Sequence, residues 1–304
     1  MELIRSDTHI DFIGKRKVAL MISCAVILIS LGSIAYHGGL NYGVDFAGGM
    51  LLQVRFAKAV DIARVRSGLE AIGQKDASVQ NFGGGNEFLI RIEKSSEDLE
   101  ALSKNLQISL RQQFKDDLPE IRRVEVVGPK VGKDLKTKAL WAVLLSFAAI
   151  LVYVAFRFHT ISYGLGGIVA LVHDVIVTYG ALSVFDIEYS LSTLAVILTI
   201  IGFSINDTIV IFDRVRENIK KMRKDDLATI MNVSINQTLG RTILTTGTVM
   251  IVVLILFFFG GPVIHDFATA MIIGLITGTY STVYIASPVV LVWEKYVIGS
   301  RRRR

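Results

Sequence analysis

Asp207 is the residue whose type and setting most directly imply chemistry. It sits in LSTLAVILTIIGFSINDTIVIF (Leu191–Phe212), twenty-two residues with no other ionisable side chain. That length suits a membrane-spanning helix. A carboxylate near the centre of such a helix costs roughly 2.5–3.5 kcal/mol on insertion scales, so it normally faces a bundle interior and has a task there. A second acid, Asp174, lies in the preceding apolar run beside His173, and Arg241 stands at the mouth of the following one. Asp213, followed by Arg214, marks the edge of the Asp207 run. Two acids and an arginine so placed point to a proton or ion path, with a catalytic carboxylate pair as the rival.

The depth of Asp207 supports the first reading. It lies five residues before the inner end of its run, about 8 Å at 1.5 Å per residue. Arg241, at the inner end of the next run, is expected to meet it near the cytoplasmic leaflet. A nearby cation favours the charged carboxylate and desolvation favours the neutral one. A group held between these terms can load and release a proton as helices shift. The bland alternative is a structural acid held by Asn206 or Thr208. For Asp174 the alternative is interhelical bonding to a neighbouring Thr or Ser, with Thr245, Thr246, Thr248 and Thr277 as expected partners. His173 reads as a packed polar residue or a relay member, and Asp213 as an interfacial salt bridge or helix-end cap.

Composition sets the frame for these residues. The 304-residue chain is 52% hydrophobic with mean hydropathy +0.52, which fits an integral membrane protein rather than a soluble one. Its net charge of +6 does not imply nucleic acid. The basic residues flank apolar runs as topology signals, and no aromatics interleave with them as a stacking platform would require. The Arg301–Arg304 run suits an anionic membrane surface. Cys24 is the single cysteine, so no internal disulfide exists. The histidines at 9, 37, 159, 173 and 265 lack metal-ligand spacing. No cofactor or metal is expected.

Apolar runs at about 18–36, 139–156, 161–185, 191–212, 242–259 and 267–293 predict six spans. The first follows Lys15, Arg16 and Lys17 and resembles a signal peptide with Ser33-Ile34-Ala35 as a cleavage site. It is too long for an h-region, and an uncleaved span is favoured. Basic residues collect at 5, 15–17, 157, 214–224, 241, 295 and 301–304. The short loops Asp186–Ser190 and Gly260–Asp266 carry no Lys or Arg. The positive-inside rule then places both termini in the cytoplasm and 37–138 outside. The expected organisation is a cytoplasmic N-terminus (1–17), a first span (18–36), an extracytoplasmic domain (37–138), five further spans within 139–293 with a basic cytoplasmic loop at 213–241, and a basic tail (294–304). In that loop Asp225 and Asp226 are expected to cap a helix to about Leu239 that either lies on the membrane or is solvated.

The extracytoplasmic segment reads as a small α+β domain. Strands are expected at Met50–Phe56, Ser78–Phe82, Phe88–Ile92 and Ile121–Val127, the middle two joined by a Gly83-Gly84-Gly85-Asn86 turn. Helices are expected at Asp61–Ile72 and from Ser96 to about Phe114. The order β-α-β-β-α-β is that of the ferredoxin-like unit, a scaffold with little functional information of its own. Gly43–Gly49 suggests a tight turn or strand start and lacks the phosphate-loop pattern. Gly274 and Gly278, spaced as GxxxG, suggest a close helix–helix approach in the last span.

Several segments together resemble the SecF family, the smaller subunits of the bacterial SecD–SecF accessory complex of the Sec translocase. They are GVDFAGG (43–49), RFHTISYGLGGIVALVHDV (157–175), FSINDTIVIFDRVREN (203–218), QTLGRTILTTGT (237–248) and the stretch 257–288. The resemblance implies an RND-type half: a polytopic α-helical membrane protein of six spans, with an outside domain between the first and second. It implies a SecD partner, work beside the SecY-SecE-SecG translocon and YajC, exported preproteins as clients, and use of the proton-motive force. The acid of the SIND segment and the arginine of TLGRT, here Asp207 and Arg241, would line the proton path. Asp174 and Asp213 match further motif positions. The localisation implied is the bacterial inner membrane.

Three rivals stay on the page. An RND-type small-solute exporter half would show substrate-stimulated proton flux without a partner. An intramembrane aspartyl protease would need Asp174 and Asp207 at matched depth as a shared-proton dyad, whereas their sequence positions imply a separation of about 10 Å. A purely structural scaffold would tolerate Asp207→Asn. Joints at Tyr36–Phe46 and Gly128–Lys138 are the expected mechanical links to the outside domain.

Overall fold

The structure, a computed structural model, describes residues 8–298 apart from 76, 83, 84, 93–98, 116, 118 and 159. Arg5, the Gly83-Gly84 part of the expected turn, the expected helix start at Ser96 and the Arg301–Arg304 run lie outside the described residues. The chain divides into two compact units. One gathers the described residues up to Leu40, Ala142–Ile187 and those from Ser192 onward; the other holds Asn41–Trp141 and Glu188–Leu191.

Among the described residues, six helices are long and apolar enough to cross a membrane. They are α1 (Arg16–Tyr36), α5 (Pro129–Phe158), α6 (Ile161–Val184), α7 (Leu191–Lys221), α8 (Leu227–Phe259) and a composite helix over Ile264–Tyr296. The composite consists of α9 (Gly261–Ser281), a π-helical turn (Thr282–Ala286), α10 (Ser287–Trp293) and a second π-turn (Glu294–Ile298). Pro288 stands two residues after the first π-turn, as the second residue of α10. It has no N–H to return to the preceding turn, and the wider turn absorbs the mismatch, with the Ser287 hydroxyl donating to the Thr282 carbonyl at 3.1 Å. α6, α7 and the composite helix are mostly buried, whereas α1, α5 and α8 are largely exposed.

Close packing of the buried helices follows from glycine. A Cβ on Gly166 would lie 2.8 Å from the Ala286 carbonyl oxygen, so α6 approaches the composite helix at backbone distance. The GxxxG pair bears on α7 in the same way: a Cβ on Gly278 would meet Ser204 Cβ at 3.1 Å, and one on Gly274 would overlap Ile200.

The segment 213–241 is not the expected loop. α7 continues to Lys221 and α8 begins at Leu227, so only residues 222–226 interrupt the helices. The Asp226 side chain accepts from Thr229 N at 3.0 Å as an N-cap. The helix expected to stop near Leu239 runs on as the fifth span, because Gly240 inside a helix costs only about 1 kcal/mol and nothing else breaks the pattern. Two other expectations are revised similarly. Most of the Gly128–Lys138 joint is helical, since Pro129 opens α5 at the position where proline fits a helix. Gly43–Gly49 contains a one-turn helix, α2 (Val44–Ala47), before the chain turns at Gly48, whose φ of +77° suits glycine.

The second unit carries β1 (Gly49–Arg55), α3 (Ile62–Ala71), β2 (Ser78–Asn81), β3 (Glu87–Ile92), α4 (Leu99–Gln113) and β4 (Glu120–Val127). The four strands form one antiparallel sheet in the order β2-β3-β1-β4. Alternate residues of β1, namely Met50, Leu52 and Val54, are fully buried. They share a core with Val65 and Leu69 of α3 and Leu106 and Leu110 of α4, the burial pattern of a sheet covered on one face by helices.

Candidate functional site

Asp174 lies on α6 with no exposed surface and is bonded from three sides. Its Oδ2 accepts from the hydroxyls of Ser204 on α7, at 2.7 Å, and Ser281 on α9, at 2.8 Å. Its Oδ1 is 3.1 Å from His173 Nδ1. The His173 ring stacks on Tyr280, whose hydroxyl donates to the Ala19 carbonyl of α1 at 2.6 Å and pairs with Ser23 at 2.9 Å. One carboxylate therefore ties α6, α7 and α9 together and reaches α1 through its neighbour. The threonines expected as partners of Asp174 do not supply its bonds; two serines do.

The serines share helix faces with other small polar residues. Ser204 and Thr208 lie four apart on α7, and Gly278, Ser281 and Thr282 are spaced three and four on the final helix, each set making one face. Thr208 and Thr282 hydroxyls pair at 3.1 Å, and both approach the Ser204 carbonyl, at 3.1 and 3.4 Å. These hydroxyls form a polar seam between two apolar, glycine-containing helices.

Asp207 differs. It is 1% exposed, and its Oδ2 finds no hydrogen-bond partner among the described residues. Thr242 of α8 turns its hydroxyl toward the same carboxylate. Yet Thr242 Oγ1 is also buried without a partner at hydrogen-bonding geometry. Arg241 is close enough for its charge to act on Asp207, but its side chain is exposed and no ion pair joins the two among the described residues. The expected Asp207–Arg241 contact is thus open.

The two acids are also nearer in depth than their positions in sequence imply. Ser204, the donor to Asp174, lies three residues before Asp207 on the same helix, an axial step of about 4.5 Å rather than about 10 Å. No hydrogen bond joins them, and both oxygens of Asp174 are already engaged. A shared-proton dyad is not assembled in this arrangement.

Asp213 is not brought to the same place. It sits six residues beyond Asp207, about 9 Å along α7, and its Oδ2 accepts from Arg157 at 2.9 Å with both side chains partly exposed. Behind it, the C-terminal part of α7 and the N-terminal part of α8 are joined through polar groups: Gln237 Oε1 accepts from Arg214 Nε at 2.7 Å and Asn218 Nδ2 at 2.9 Å, and Asn218 also donates to Ser234. Among the described residues no cluster of three or more His, Cys, Asp or Glu side chains is placed to hold a metal.

Comparison with known proteins gives consistent matches. The family described as "Protein export membrane protein SecD/SecF, C-terminal" matches residues 107–296, and the "SecD/SecF GG Motif" matches residues 37–60. The chain is 44% identical to the protein translocase subunit SecF of Magnetococcus marinus, covering 100% of this chain and 97% of that one. It is 42% identical to the SecF subunit of Pseudomonas aeruginosa, covering 93% and 91% respectively. The crystal structure of SecDF, a translocon-associated membrane protein from Thermus thermophilus, superposes with a TM-score of 0.85 at 35% identity over 96% of this chain. This chain spans 40% of the length of that protein.

Proposed function

The chain belongs to the SecF members of the SecD/SecF protein-export family, membrane proteins with an accessory role in the Sec pathway, and from that membership we propose that it couples the proton-motive force to preprotein export as one half of a complex with SecD. The observation that carries the proposal is the contrast between the two buried acids. Asp174 has its hydrogen bonds supplied by three helices. Asp207, three residues beyond Ser204 on α7, has a buried oxygen without a hydrogen-bond partner among the described residues and an arginine whose charge acts on it without an ion pair. A fully bonded acid holds helices together. An acid left short of partners, beside an uncommitted cation, is suited to change protonation as helices move.

In this reading Asp207 and Arg241 line the proton path, Asp174 and His173 brace it, and Asp213 fixes the inner end of α7 to α5. The second half of the path belongs to SecD, which fits a chain spanning 40% of a fused SecDF protein. It also fits the exposed apolar surfaces of α1, α5 and α8, which need lipid or a partner to cover them. The domain between the first two spans is extracytoplasmic and both termini are cytoplasmic, on the strength of the charge pattern. The antiparallel order β2-β3-β1-β4 with two helices supports the ferredoxin-like reading of that domain. The SecY-SecE-SecG translocon, YajC and exported preproteins are the remaining proposed partners.

The test is preprotein translocation into inverted inner-membrane vesicles, with ATP present, with and without a proton gradient. Asp207→Asn, assembled with SecD at wild-type level, is expected to lose the gradient-dependent increment and retain the ATP-driven remainder. A full gradient response in the Asp207→Asn protein would make Asp207 structural and remove the basis of the proposal.

A further inference from the structure

Thr242 departs from the behaviour of the threonines around it. A threonine in a helix has two accessible rotamers, because its hydroxyl can return a bond to a carbonyl three or four residues earlier. Thr238 and Thr245 on α8 take that bond, donating to the Ser234 and Arg241 carbonyls at 3.0 Å each. So do Thr178 of α6, with the Asp174 carbonyl at 2.7 Å, and Thr279 of α9, with the Leu275 carbonyl at 2.9 Å. Thr208 and Thr282 do the same with Ser204 and Gly278. Thr242 is 4% exposed and has the Thr238 carbonyl one turn before it. Its hydroxyl nevertheless makes no hydrogen bond among the described residues. It faces the Asp207 carboxyl of α7 instead.

Two buried polar atoms on different helices, Thr242 Oγ1 and Asp207 Oδ2, are thus both short of a partner at bonding geometry. Buried polar side chains are normally paired, so the bond that Thr242 forgoes on its own helix needs a cause, and the acid supplies one. An ionised carboxylate only accepts, and a hydroxyl donates to it strongly. A protonated carboxyl carries its own donor and needs the hydroxyl less. The other groups around this seam are committed elsewhere. Asp174 is bonded to Ser204, Ser281 and His173, Tyr280 to the Ala19 carbonyl and Ser23, and Asp213 to Arg157. Arg241 adds a positive charge that acts on Asp207, but its side chain is exposed and makes no ion pair with the acid among the described residues. Thr242 is the buried donor on α8 that faces the acid.

We propose that Thr242 sets the proton affinity of Asp207, its hydroxyl turning to the carboxylate when the acid is ionised and back to the Thr238 carbonyl when the acid holds a proton. The proton that loads Asp207 comes from the gradient, and the hydroxyl keeps its own. Thr242 is then a positioning residue that acts through Asp207, and the inference rests on the function proposed above. The observed geometry, with the hydroxyl facing the acid and neither atom bonded, is intermediate between the two bonded arrangements.

The test uses the full chain assembled with SecD in membranes. It follows the infrared C=O band of the protonated Asp207 carboxyl, identified by its loss in Asp207→Asn, as the pH is varied. Thr242→Val keeps the shape and removes the hydroxyl. It is expected to raise the midpoint of the band by about one unit, because losing a hydrogen bond to the charged form favours the neutral one. Thr242→Ala is expected to raise it in the same sense, which covers poor packing of the valine. Thr242→Ser keeps the hydroxyl and is expected to hold the wild-type midpoint. In inverted vesicles the pH profile of gradient-stimulated translocation is expected to move with the midpoint in Thr242→Val and to stay in place in Thr242→Ser. A wild-type midpoint in both Thr242→Val and Thr242→Ala, or the same shift in Thr242→Ser as in Thr242→Val, would overturn the role of the hydroxyl. A full gradient response in Asp207→Asn would instead overturn the function proposed above, whatever the midpoints of the Thr242 variants.

Discussion

The bonds to Asp174 make a quantitative prediction. Ser204→Ala and Ser281→Ala each remove one hydroxyl from Asp174 Oδ2, at 2.7 and 2.8 Å respectively. A hydrogen bond to an ionised group contributes about 1.5–3 kcal/mol in soluble proteins. Interhelical hydrogen bonds in membranes average about 0.6 kcal/mol and reach about 1.7, because the separated helices find other partners. The fully buried position of Asp174 favours the upper membrane value. Ser204 has no other side-chain hydroxyl bond given by this geometry, whereas the Ser281 hydroxyl also reaches the Gly278 carbonyl at 3.1 Å and can fall back on it. The coupling free energy between Asp174 and Ser204 is therefore expected to be about 1.5 kcal/mol, and that between Asp174 and Ser281 about 1 kcal/mol. Double-mutant cycles with Asp174→Asn, which keeps the shape and removes the carboxyl group, measure both by titrating the purified protein with a denaturing detergent. Couplings below about 0.3 kcal/mol, within the additivity of independent sites, or a larger value for Ser281 than for Ser204, would refute the assignment of these serines as the supports of the acid.

Other expectations follow from single features. Asp226→Ala should loosen the start of α8 by about 1 kcal/mol, read as faster amide exchange over Leu227–Met231, whereas Asp226→Asn should change it little. Bonds from Thr229 hold the Asp226 carboxyl below its usual range, so its contribution is present above the unfolded carboxylate value and is lost as the pH falls through the lower folded one. Protection of amides at this end, taken relative to the intrinsic exchange rate at each pH, should therefore fall in acid in the wild type but not in Asp226→Ala. Gly166→Ala places a methyl 2.8 Å from the Ala286 carbonyl and 2.8 Å from Val290 Cγ2, and should destabilise the bundle by about 1–3 kcal/mol in the same detergent titration. In a Cys24→Ser background, Asn86→Cys should react with an impermeant thiol reagent in intact cells and Arg223→Cys only after permeabilisation; the reverse pattern would invert the proposed topology.

The spans were readable because a bilayer demands long apolar runs, and the runs at 161–185 and 191–212 differ from α6 and α7 mainly in where the helices stop. The stops were less readable. An apolar run ends where lipid ends, but a helix ends where its backbone bonds end, so α7 continues nine residues past Phe212 to Lys221 through charged residues that still favour helix. The same distinction hid the continuity of α8, where polar residues from Leu227 to Gln237 mark a change of surroundings and not of backbone. Asp174 and Asp207 were visible because buried charge is costly. Ser204, Ser281 and Thr282 were not, since a hydroxyl in an apolar helix can bond to its own preceding turn and its type alone does not reveal a neighbour.

The division of labour between the two acids has an energetic rationale. A buried acceptor without a partner costs about 1–3 kcal/mol, and Asp207 Oδ2 is such an acceptor. A proton moving inward yields about 2.3 kcal/mol per 100 mV and about 1.4 kcal/mol for each unit of pH gradient. The unmet bond and the passage of one proton are thus of the same size, so loading or unloading Asp207 can reverse a preference between two helix arrangements. Driving such an equilibrium from 1:99 to 99:1 takes about 5.5 kcal/mol, which two protons supply at about 100 mV and one pH unit. Asp174 is poorly suited to that role. Its bonds to two serines and a histidine tie α6, α7 and α9 together, which suits it to bracing. Under the proposed function, Asp174 serves as the fixed point against which α7 moves, and Asp207 as the group that senses the gradient. Loss of stability from Asp174→Asn and loss of response without loss of stability from Asp207→Asn are the separate signatures this division requires.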